Sequence, residues 1–245
     1  MREVITIPTD TCRYILKLDG RLNFIKFHET CLPIYYIYNI NRKRAEWLSS
    51  TLYQTGIWCK VLDARVVLCF PIHISILLEK CFMESTAEGP LKYMVIAVRH
   101  CMKYWNSMAA LWLSDPLGKL LKFLDTIPQW LWSIEKDCLM DMLKRPENYI
   151  DLMDIDEFLD FLSKLYRTSG TISRDERGEK VLEIIIKSPQ PFTHKVIERI
   201  LHRMTLLGLL EREPYVGNLW SDIDSAYHIK IAGEERIKRL IDLIP

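Results

Sequence analysis

Apolar positions along the chain follow strand and helix periods in an order that occurs twice. The first half contains runs rich in aromatic and β-branched residues, which are typical of strands, and two runs with helical spacing. The first of these helical runs ends at Gly56, a common helix terminator. The pattern predicts the order strand, strand, helix, strand, strand, helix, at residues 22–27, 33–40, 41–56, 57–62, 65–70 and 74–82.

The second half repeats this order. The run 191–208 has apolar residues at helical spacing, Thr193 as a predicted N-cap and Gly208 at its end. Superposing Leu52 and Gly56 on Met204 and Gly208 also brings the flanking segments into register. The predicted strands and helices of this half are 170–174, 180–188, 191–208, 209–216, 225–232 and 233–244.

Composition and charge limit what these elements can do. Of the 245 residues, 49% are hydrophobic and 27% are charged, as in an ordinary globular protein. The formal net charge is only +1, so any anion-binding surface must be local. The residues show no zinc-type His and Cys spacing, no phosphate-binding glycine loop and no G-x-S-x-G motif, which argues against zinc sites, nucleotide enzymes and serine hydrolases.

The cysteines and the termini bear on location. The seven cysteines stand singly in apolar segments without a C-x-x-C pair, so we expect reduced, mostly buried thiols in an intracellular protein. The N-terminus lacks the apolar core of a signal peptide, and the most apolar run, 66–78, is too short to cross a membrane. The expectation is a cytoplasmic protein without a membrane partner.

A third segment, 88–151, lies between the halves and is predicted to be helical. Prolines divide it into short helices, and it carries four of the seven tryptophans: Trp105, Trp112, Trp130 and Trp132. These side chains either fill the core between the halves or form an apolar patch that docks a partner protein.

One nine-residue segment precedes the first strand of each half. Cys12–Gly20 reads CRYILKLDG and Leu162–Gly170 reads LSKLYRTSG; each is an amphipathic helical pattern that ends in glycine and leads directly into a strand. With this helix each half has the order αββαββα, and it resembles the LAGLIDADG family of homing endonucleases and their domesticated relatives. The resemblance covers nearly the whole chain except the tryptophan-rich insert, and it depends on repeated topology more than on individual letters.

The resemblance implies an α+β fold. Two LAGLIDADG-like repeats, at 1–87 and 152–245, would form a pseudo-twofold pair of saddle-shaped antiparallel sheets, with 88–151 as a helical insert. It also implies that helices at 13–19 and 158–169 meet near the pseudo-twofold axis. Since both repeats lie in one chain, we expect a monomer.

The eighth motif position determines the expected chemistry. In this family it is a metal-binding carboxylate in each repeat, whereas in this chain it is Asp19 in the first repeat and Ser169 in the second. A serine hydroxyl is a poor ligand for Mg²⁺, which prefers carboxylates. The expectation is therefore lost or impaired cleavage and no cofactor, or Mg²⁺ at Asp19 if cleavage is retained. Both residues also suit ordinary turns.

The remaining expectation concerns the partner. Side chains alternate between the two faces of a strand, so basic residues opposite the helices would contact double-stranded DNA through phosphates and guanine edges. The alternative is a solvated face whose charges prevent edge aggregation. The candidates are Arg21, Asn23, Lys60, Arg65, Arg174, Lys187, Arg212, His228 and Lys230.

Three other functions stay open at this point. A winged-helix DNA-binding module fits the segment from Lys180 to Ile231, where a helix precedes a hairpin. A nicking endonuclease would use Asp19 alone, and a protein-interaction module would use the tryptophan-rich insert. The sequence reveals neither the target site nor a preference for DNA over RNA.

Overall fold

The chain folds into two units, each with helices and one sheet. The computed structural model describes residues 5–27, 30–82, 90–114, 136–138, 140–141, 144–187 and 193–243. Unit 1 comprises Met1–Trp105 and Trp130–Asp141, and unit 2 comprises Asn106–Gln129 and Met142–Pro245. Each unit contains a four-stranded antiparallel sheet, which confirms the expected α+β class.

Unit 1 begins with a short helix that leads into a strand pair. Its sheet has the order β1-β2-β4-β3. A last helix, α5 (Met102–Ser114), begins in unit 1 and continues into unit 2. The other elements are α1 (Thr9–Ile15), β1 (Gly20–Phe27), β2 (Thr30–Ile37), α2 (Arg42–Gln54), β3 (Lys60–Leu62), β4 (Arg65–Leu68), α3 (Pro71–Phe82) and α4 (Pro90–His100).

Unit 2 repeats the arrangement. Its sheet has the order β5-β6-β8-β7, so the first two strands and the last two strands of each unit take the same places. Short 3₁₀ turns at Pro146–Asn148 and Val216–Leu219 stand outside the repeated order. The elements are α6 (Ile155–Ser169), β5 (Gly170–Arg174), β6 (Lys180–Ile186), α7 (Thr193–Leu206), β7 (Trp220–Ser221), β8 (Ala226–Ala232) and α8 (Glu234–Leu243).

The equivalent helices α2 and α7 end in the same way. Gly56 and Gly208 both have positive φ, at 90° and 69°. The following residue then donates its backbone N–H back into the helix: Ile57 to Leu52 O at 3.0 Å, and Leu209 to Met204 O at 2.9 Å. This is the bonding pattern of a glycine-terminated helix, and it turns the chain toward the next segment in both units.

Local sequence also determines where two helices begin. The side chain of Asn41 accepts a hydrogen bond from Arg44 N and caps α2. At the start of α6, Asp154 accepts from Glu157 N at 2.8 Å while the Glu157 carboxylate accepts from Asp154 N at 2.9 Å. This reciprocal capping box satisfies backbone donors that the helix itself leaves unpaired.

Each unit buries its own apolar face. In unit 1, α2 packs on β3 and β4, and Leu48, Leu52, Val66 and Leu68 belong to one buried cluster. In unit 2, α6 and α8 pack on β6. The core-facing strand residues alternate as expected for a sheet with one helix-covered face; Leu182, Ile184, Ile186, Ile229 and Ile231 are buried.

Several predicted elements differ from the structure in their bounds; the strand expected at 57–62, for example, is Lys60–Leu62. Two predictions are wrong in a larger way. The helix expected at 13–19 ends at Ile15, and residues 16–18 form a turn before β1. The strand expected at 209–216 is absent: residues 209–215 are irregular, Val216 begins a 3₁₀ turn, and the second neighbour of β8, besides β6, is the two-residue β7. Its charged residues 211–213 are exposed and Pro214 cannot donate to a ladder, so this stretch does not pair.

The expectation for the cysteines is also wrong. Cys12 is bonded to Cys81 and Cys31 to Cys101, whereas Cys59, Cys69 and Cys138 are buried thiols outside these disulfides. Apolar surroundings suit buried thiols and buried disulfides equally, so spacing did not separate the two. The cysteines therefore lend no support to an intracellular location.

The tryptophans of the insert are only partly described. Trp105 is fully buried and meets Phe70 edge-on at 5.5 Å, so it is a core residue of unit 1. Trp112 is partly buried on α5. Trp130 and Trp132 lie outside the described residues. None of the helices in the described ranges combines the length and apolarity that crossing a bilayer requires.

Candidate nucleic-acid interface

The junction between motif helix and strand is built around a glycine in both units. Gly20 is the first residue of β1 and pairs with Ile37; Gly170 is the first residue of β5 and pairs with Ile184. A Cβ atom on Gly20 would lie 2.1 Å from the Tyr35 hydroxyl, and one on Gly170 would lie 1.9 Å from the Tyr166 ring. At Gly170 the close atoms include the Tyr166 backbone oxygen at 2.5 Å, so this position requires glycine; at Gly20 they all belong to the Tyr35 side chain, which crowds the position.

Asp19, at the eighth motif position, is exposed and closes a turn. Its carboxylate accepts a hydrogen bond from the Asn39 side chain, and its backbone carbonyl accepts from Tyr38 N at 2.7 Å. Asn39 has a φ of 56°, a conformation that asparagine tolerates better than most residues. These bonds extend the β1–β2 pairing by one step, so Asp19 has a structural role whatever else it binds.

Ser169, the corresponding residue of unit 2, is the last residue of α6. Its hydroxyl donates to Leu165 O at 3.1 Å, one turn back in the helix. At this motif position unit 1 thus offers a carboxylate, whereas in unit 2 the hydroxyl is already used by the backbone and is a poor ligand for a divalent ion. Within the described ranges, no three His, Cys, Asp or Glu side chains are grouped to hold a metal ion.

Strand register places four candidate residues of unit 1 on one face of its sheet. Arg21 pairs with Tyr36, Tyr36 with Val67, and Val67 with Lys60. Asn23 follows Arg21 by two residues on β1, and Arg65 precedes Val67 by two on β4, so both share this face. The opposite face carries the core residues Tyr35, Val66 and Leu68.

Two arginines on this face converge on one aromatic ring. The guanidinium carbons of Arg21 and Arg65 lie 5.9 and 5.6 Å from the centre of the Tyr38 ring, within the range of a cation–π contact. Tyr36 lies beside Tyr38, at 5.7 Å between ring centres. Burial and Tyr38 raise the pKa of Tyr36, whereas Arg65 opposes that shift. We call Arg21, Asn23, Tyr36, Tyr38 and Arg65 the arginine–tyrosine cluster.

The face is not open across its whole width. Ile34 and Val67, which point the same way as Arg21 by register, are buried. Lys60 is only partly exposed and its ammonium group pairs with Asp137. By contrast, Arg21, Asn23 and Arg65 are exposed, and neither arginine has an ion pair with a carboxylate among the described residues.

The equivalent face of unit 2 carries acids among its bases. Thr171, Glu183 and Lys230 pair across β5, β6 and β8, and His228 pairs with Ile185. Lys230 Nζ lies 3.5 Å from Glu183 Oε1. A phosphate approaching Lys230 would therefore also meet a carboxylate, and like charges repel.

His228 lies between two carboxylates. Its Nδ1 is 3.1 Å from Glu183 Oε1, and its Nε2 is 2.8 Å from Asp224 Oδ2. Hydrogen bonds from His228 and Ser221 lower the pKa of Asp224. Both polar atoms of the imidazole are thus occupied within the unit.

The other three candidates of unit 2 lie elsewhere. Arg174 pairs with Lys180 and, by alternation, is on the side of Ile172 and Leu182; its guanidinium donates to Gly178 O at 2.8 Å in the hairpin. Arg212 lies in the irregular segment after α7 and is not on a strand. Lys187 is exposed just beyond β6, where its backbone N–H donates to Leu113 O.

Sequence reasoning missed the acidic partners. Glu183 interrupts the apolar run 181–186 on the face opposite Leu182 and Ile184, which alternation could have shown. Asp224 precedes His228 by four residues across a turn, and Asp137 lies far from Lys60 in sequence. No local signal identifies the contact between Lys60 and Asp137.

No family model matches the chain, and no curated protein matches it in sequence. Solved structures of LAGLIDADG enzymes bound to DNA do match it over most of its length. The meganuclease I-AabMI on uncleaved DNA is 11% identical with a TM-score of 0.28, covering 96% of this chain and 81% of that one. I-SmaMI on uncleavable DNA is 11% identical with a TM-score of 0.26, covering 96% and 82%. I-GzeII with its DNA target is 10% identical with a TM-score of 0.24, covering 97% and 83%. Values this low do not assign the chain to a family.

Proposed function

We propose that this chain is a double-stranded-DNA-binding protein built from two LAGLIDADG-like repeats, with its cleavage activity lost or impaired. The repeated element order, the matching sheet orders and the glycine at both helix–strand junctions support the architecture. The arginine–tyrosine cluster of unit 1 is the observation that carries the binding function, because it combines exposure, positive charge and fixed geometry.

Charge pairing distinguishes this cluster from Lys60, His228 and Lys230, the other candidates on the equivalent sheet faces. Lys60 and Lys230 each have a carboxylate within 3.5 Å, so part of their charge is already neutralised. Both ring nitrogens of His228 are occupied by carboxylates. Arg21 and Arg65 are held against Tyr38 instead, which limits their freedom without cancelling their charge. A guanidinium held in this way suits bidentate contact with phosphate or with guanine O6 and N7, and Asn23 beside it suits adenine.

The loss of cleavage follows from the eighth motif position. Asp19 offers one carboxylate, and the Ser169 hydroxyl is bonded within its own helix. A metal-assisted hydrolysis of this family's type would lack half of its carboxylate charge at these positions. Nicking through Asp19 alone is the outcome that would overturn this part of the proposal.

The binding test compares two double variants with equal loss of charge. Arg21→Ala/Arg65→Ala removes the cluster's two cations, and Lys238→Ala/Arg239→Ala removes two exposed cations from α8. Affinity for a duplex selected from a random pool is measured by fluorescence anisotropy over a range of salt concentrations. The slope of log affinity against log salt is about 0.9 per phosphate contact, so we expect the cluster variant to lose up to about 1.8 and the α8 variant to keep the wild-type slope.

Two results would contradict the proposal. If the α8 variant loses affinity while the cluster variant keeps it, the arginine–tyrosine cluster is not the binding surface. If an A-form RNA duplex of the same sequence binds more tightly than DNA in every salt condition, the partner is RNA, because the cluster would then be reading a different groove geometry.

A further inference from the structure

Thiol–disulfide chemistry is possible in only one of the two units, because all seven cysteines lie in unit 1. Both disulfides, Cys12–Cys81 and Cys31–Cys101, lie in unit 1, as do the three cysteines that are not disulfide-bonded. Unit 2 contains no cysteine in its sequence. Any change in the thiol–disulfide balance of the surroundings therefore acts on unit 1 directly and leaves unit 2 without a reacting group.

Each disulfide joins the beginning of unit 1 to its later helices. Cys12 lies on α1 and Cys81 on α3, 69 residues apart in the chain. Cys31 lies on β2 and Cys101 directly follows α4, 70 residues apart. Cross-links between residues so distant restrict the unfolded chain strongly, because the loop they close is long.

The stability of α1 depends on the Cys12–Cys81 disulfide and on packing against α3. It has only seven residues, and its N-cap, Pro8, makes no side-chain capping bond. An isolated helix of this length is not stable in water. Its packing on α3, together with the Cys12–Cys81 bond, therefore holds the segment that leads to Asp19, Gly20 and Arg21.

We propose that unit 1 is a redox-controlled module, in which reduction of its disulfides by a dithiol loosens α1 and the β1–β2 hairpin while unit 2 stays folded. A thiolate of the dithiol attacks one sulfur of a protein disulfide and forms a mixed disulfide, and the second thiol of the reductant then displaces the remaining cysteine. The protein disulfide gains two electrons and two protons to become two thiols, and the dithiol becomes a disulfide.

The two bonds differ in access. Cys31 is partly exposed, whereas Cys101, Cys12 and Cys81 are buried. Because the attacking thiolate must reach a sulfur atom, Cys31–Cys101 is reduced first. Among the free cysteines, burial raises the pKa of Cys59 to about 12, so this thiol stays protonated at neutral pH and does not exchange with the disulfides.

The consequence for binding rests on the proposed function. β1 and β2 carry Arg21, Asn23 and Tyr36, so a loosened hairpin disperses the arginine–tyrosine cluster. Affinity for duplex DNA is then high in the oxidised protein, low in the reduced protein, and restored by reoxidation.

The test uses the whole chain and follows hydrogen–deuterium exchange by mass spectrometry, before and after treatment with dithiothreitol. Peptides from 9–27 and 30–37 should lose protection on reduction by at least about a hundredfold, the scale expected for opening a long cross-linked loop. Peptides from 180–186 and 226–232 of unit 2 should be unchanged. Thiol alkylation of the untreated protein in denaturant should leave four cysteines unlabelled.

Matched variants separate the two bonds. Cys31→Ser/Cys101→Ser should remove the early phase of reduction, and Cys12→Ser/Cys81→Ser should raise exchange of α1 before any reductant is added. Three results would each refute the proposed redox control. They are seven free thiols in protein purified without reductant, equal hydrogen exchange in the two redox states, and equal loss of protection in both units. If exchange responds as expected but neither redox state binds duplex DNA, the module stands and the proposed function fails.

Discussion

At the residue scale, the glycines that end the two nine-residue motifs stand where the structure leaves little room for a side chain. Gly170 ends the α6 motif and begins β5, and it lies against Tyr166 one turn back. A Cβ there would be 1.9 Å from the ring and 2.5 Å from the Tyr166 carbonyl oxygen. The second obstacle is backbone, so it cannot move without bending the helix.

Gly170→Ala should therefore lower the free energy of unfolding by about 1–3 kcal/mol, the usual cost of overpacking. The neighbouring change Ser169→Ala is the control, since it removes only a hydroxyl that back-bonds to Leu165 O. Its effect should stay within about 0.5 kcal/mol. Urea denaturation followed by circular dichroism measures both; equal effects of the two variants would show that the Tyr166 contact relaxes.

Also at this scale, the charge of a basic residue is available to a ligand only if no neighbouring acid pairs with it. Lys60, His228 and Lys230 look like Arg21 and Arg65 in a charge pattern, yet the first three are paired with acids. The charge at a strand position therefore does not show whether the group is available to a ligand, because the acids that pair with Lys60 and Lys230 come from distant segments.

At the scale of elements, one arginine joins the start of α6 to α7. Arg203 donates to the carbonyl oxygens of Ile150, Met153 and Asp154, and its guanidinium carbon lies 4.5 Å from the centre of the Phe158 ring. Ile150 and Met153 are buried. Without the guanidinium, their carbonyl groups lose a charged donor in a place that water does not reach freely.

We expect Arg203→Met, which keeps an unbranched side chain but removes its donors, to cost about 2–3 kcal/mol of unfolding free energy. Arg199→Met on the same helix is the matched control. Its ion pair with Asp151, 3.0 Å long, is partly exposed, so its loss should cost less than about 1 kcal/mol. Chemical denaturation of both variants checks this; a larger effect at Arg199 would place the main link between these elements at the ion pair instead.

At the scale of the whole molecule, two units share a topology and differ in chemistry. Unit 1 has disulfides, an exposed pair of arginines and Asp19 at the junction. Unit 2 has no cysteine, an acid-paired sheet face and Ser169 at the junction. Under the proposed function, cleavage would need a carboxylate from both repeats and is therefore lost or impaired, whereas binding needs only the arginine–tyrosine cluster of unit 1.

The corresponding prediction concerns cleavage. Supercoiled plasmid carrying a selected site should yield no linear product with Mg²⁺ or Mn²⁺, because only one of the two junctions supplies a carboxylate. Ser169→Asp, which adds the second carboxylate, should raise cutting above the wild-type level, and Ser169→Asn, of equal size without charge, should not. Linear product from the wild type that disappears in Asp19→Asn would refute the prediction.

Most of the fold was predictable because its signals are local. The helices α2 and α7 end where glycine permits positive φ, the capping residues lie within one turn of the helix they cap, and β5 begins at the residue that the motif marks. The helix ends, the helix caps and the start of β5 depend on residues that are close in sequence. The duplicated order of elements could therefore be predicted without knowledge of any tertiary contact.

The tertiary structure decided what depends on distant partners. Besides β6, β8 pairs with Trp220–Ser221 rather than with the charged residues 211–213. A segment forms a strand only where its backbone groups can hydrogen-bond to a neighbouring strand. Four cysteines pair across about 70 residues, and acids remote in sequence neutralise Lys60 and Lys230. By itself, the sequence determined which residues are basic, where the glycine-terminated helices end and the repeated order of most elements. Long-range packing determined which segments pair as strands, as at Trp220–Ser221, and which of the charges remain available for a ligand.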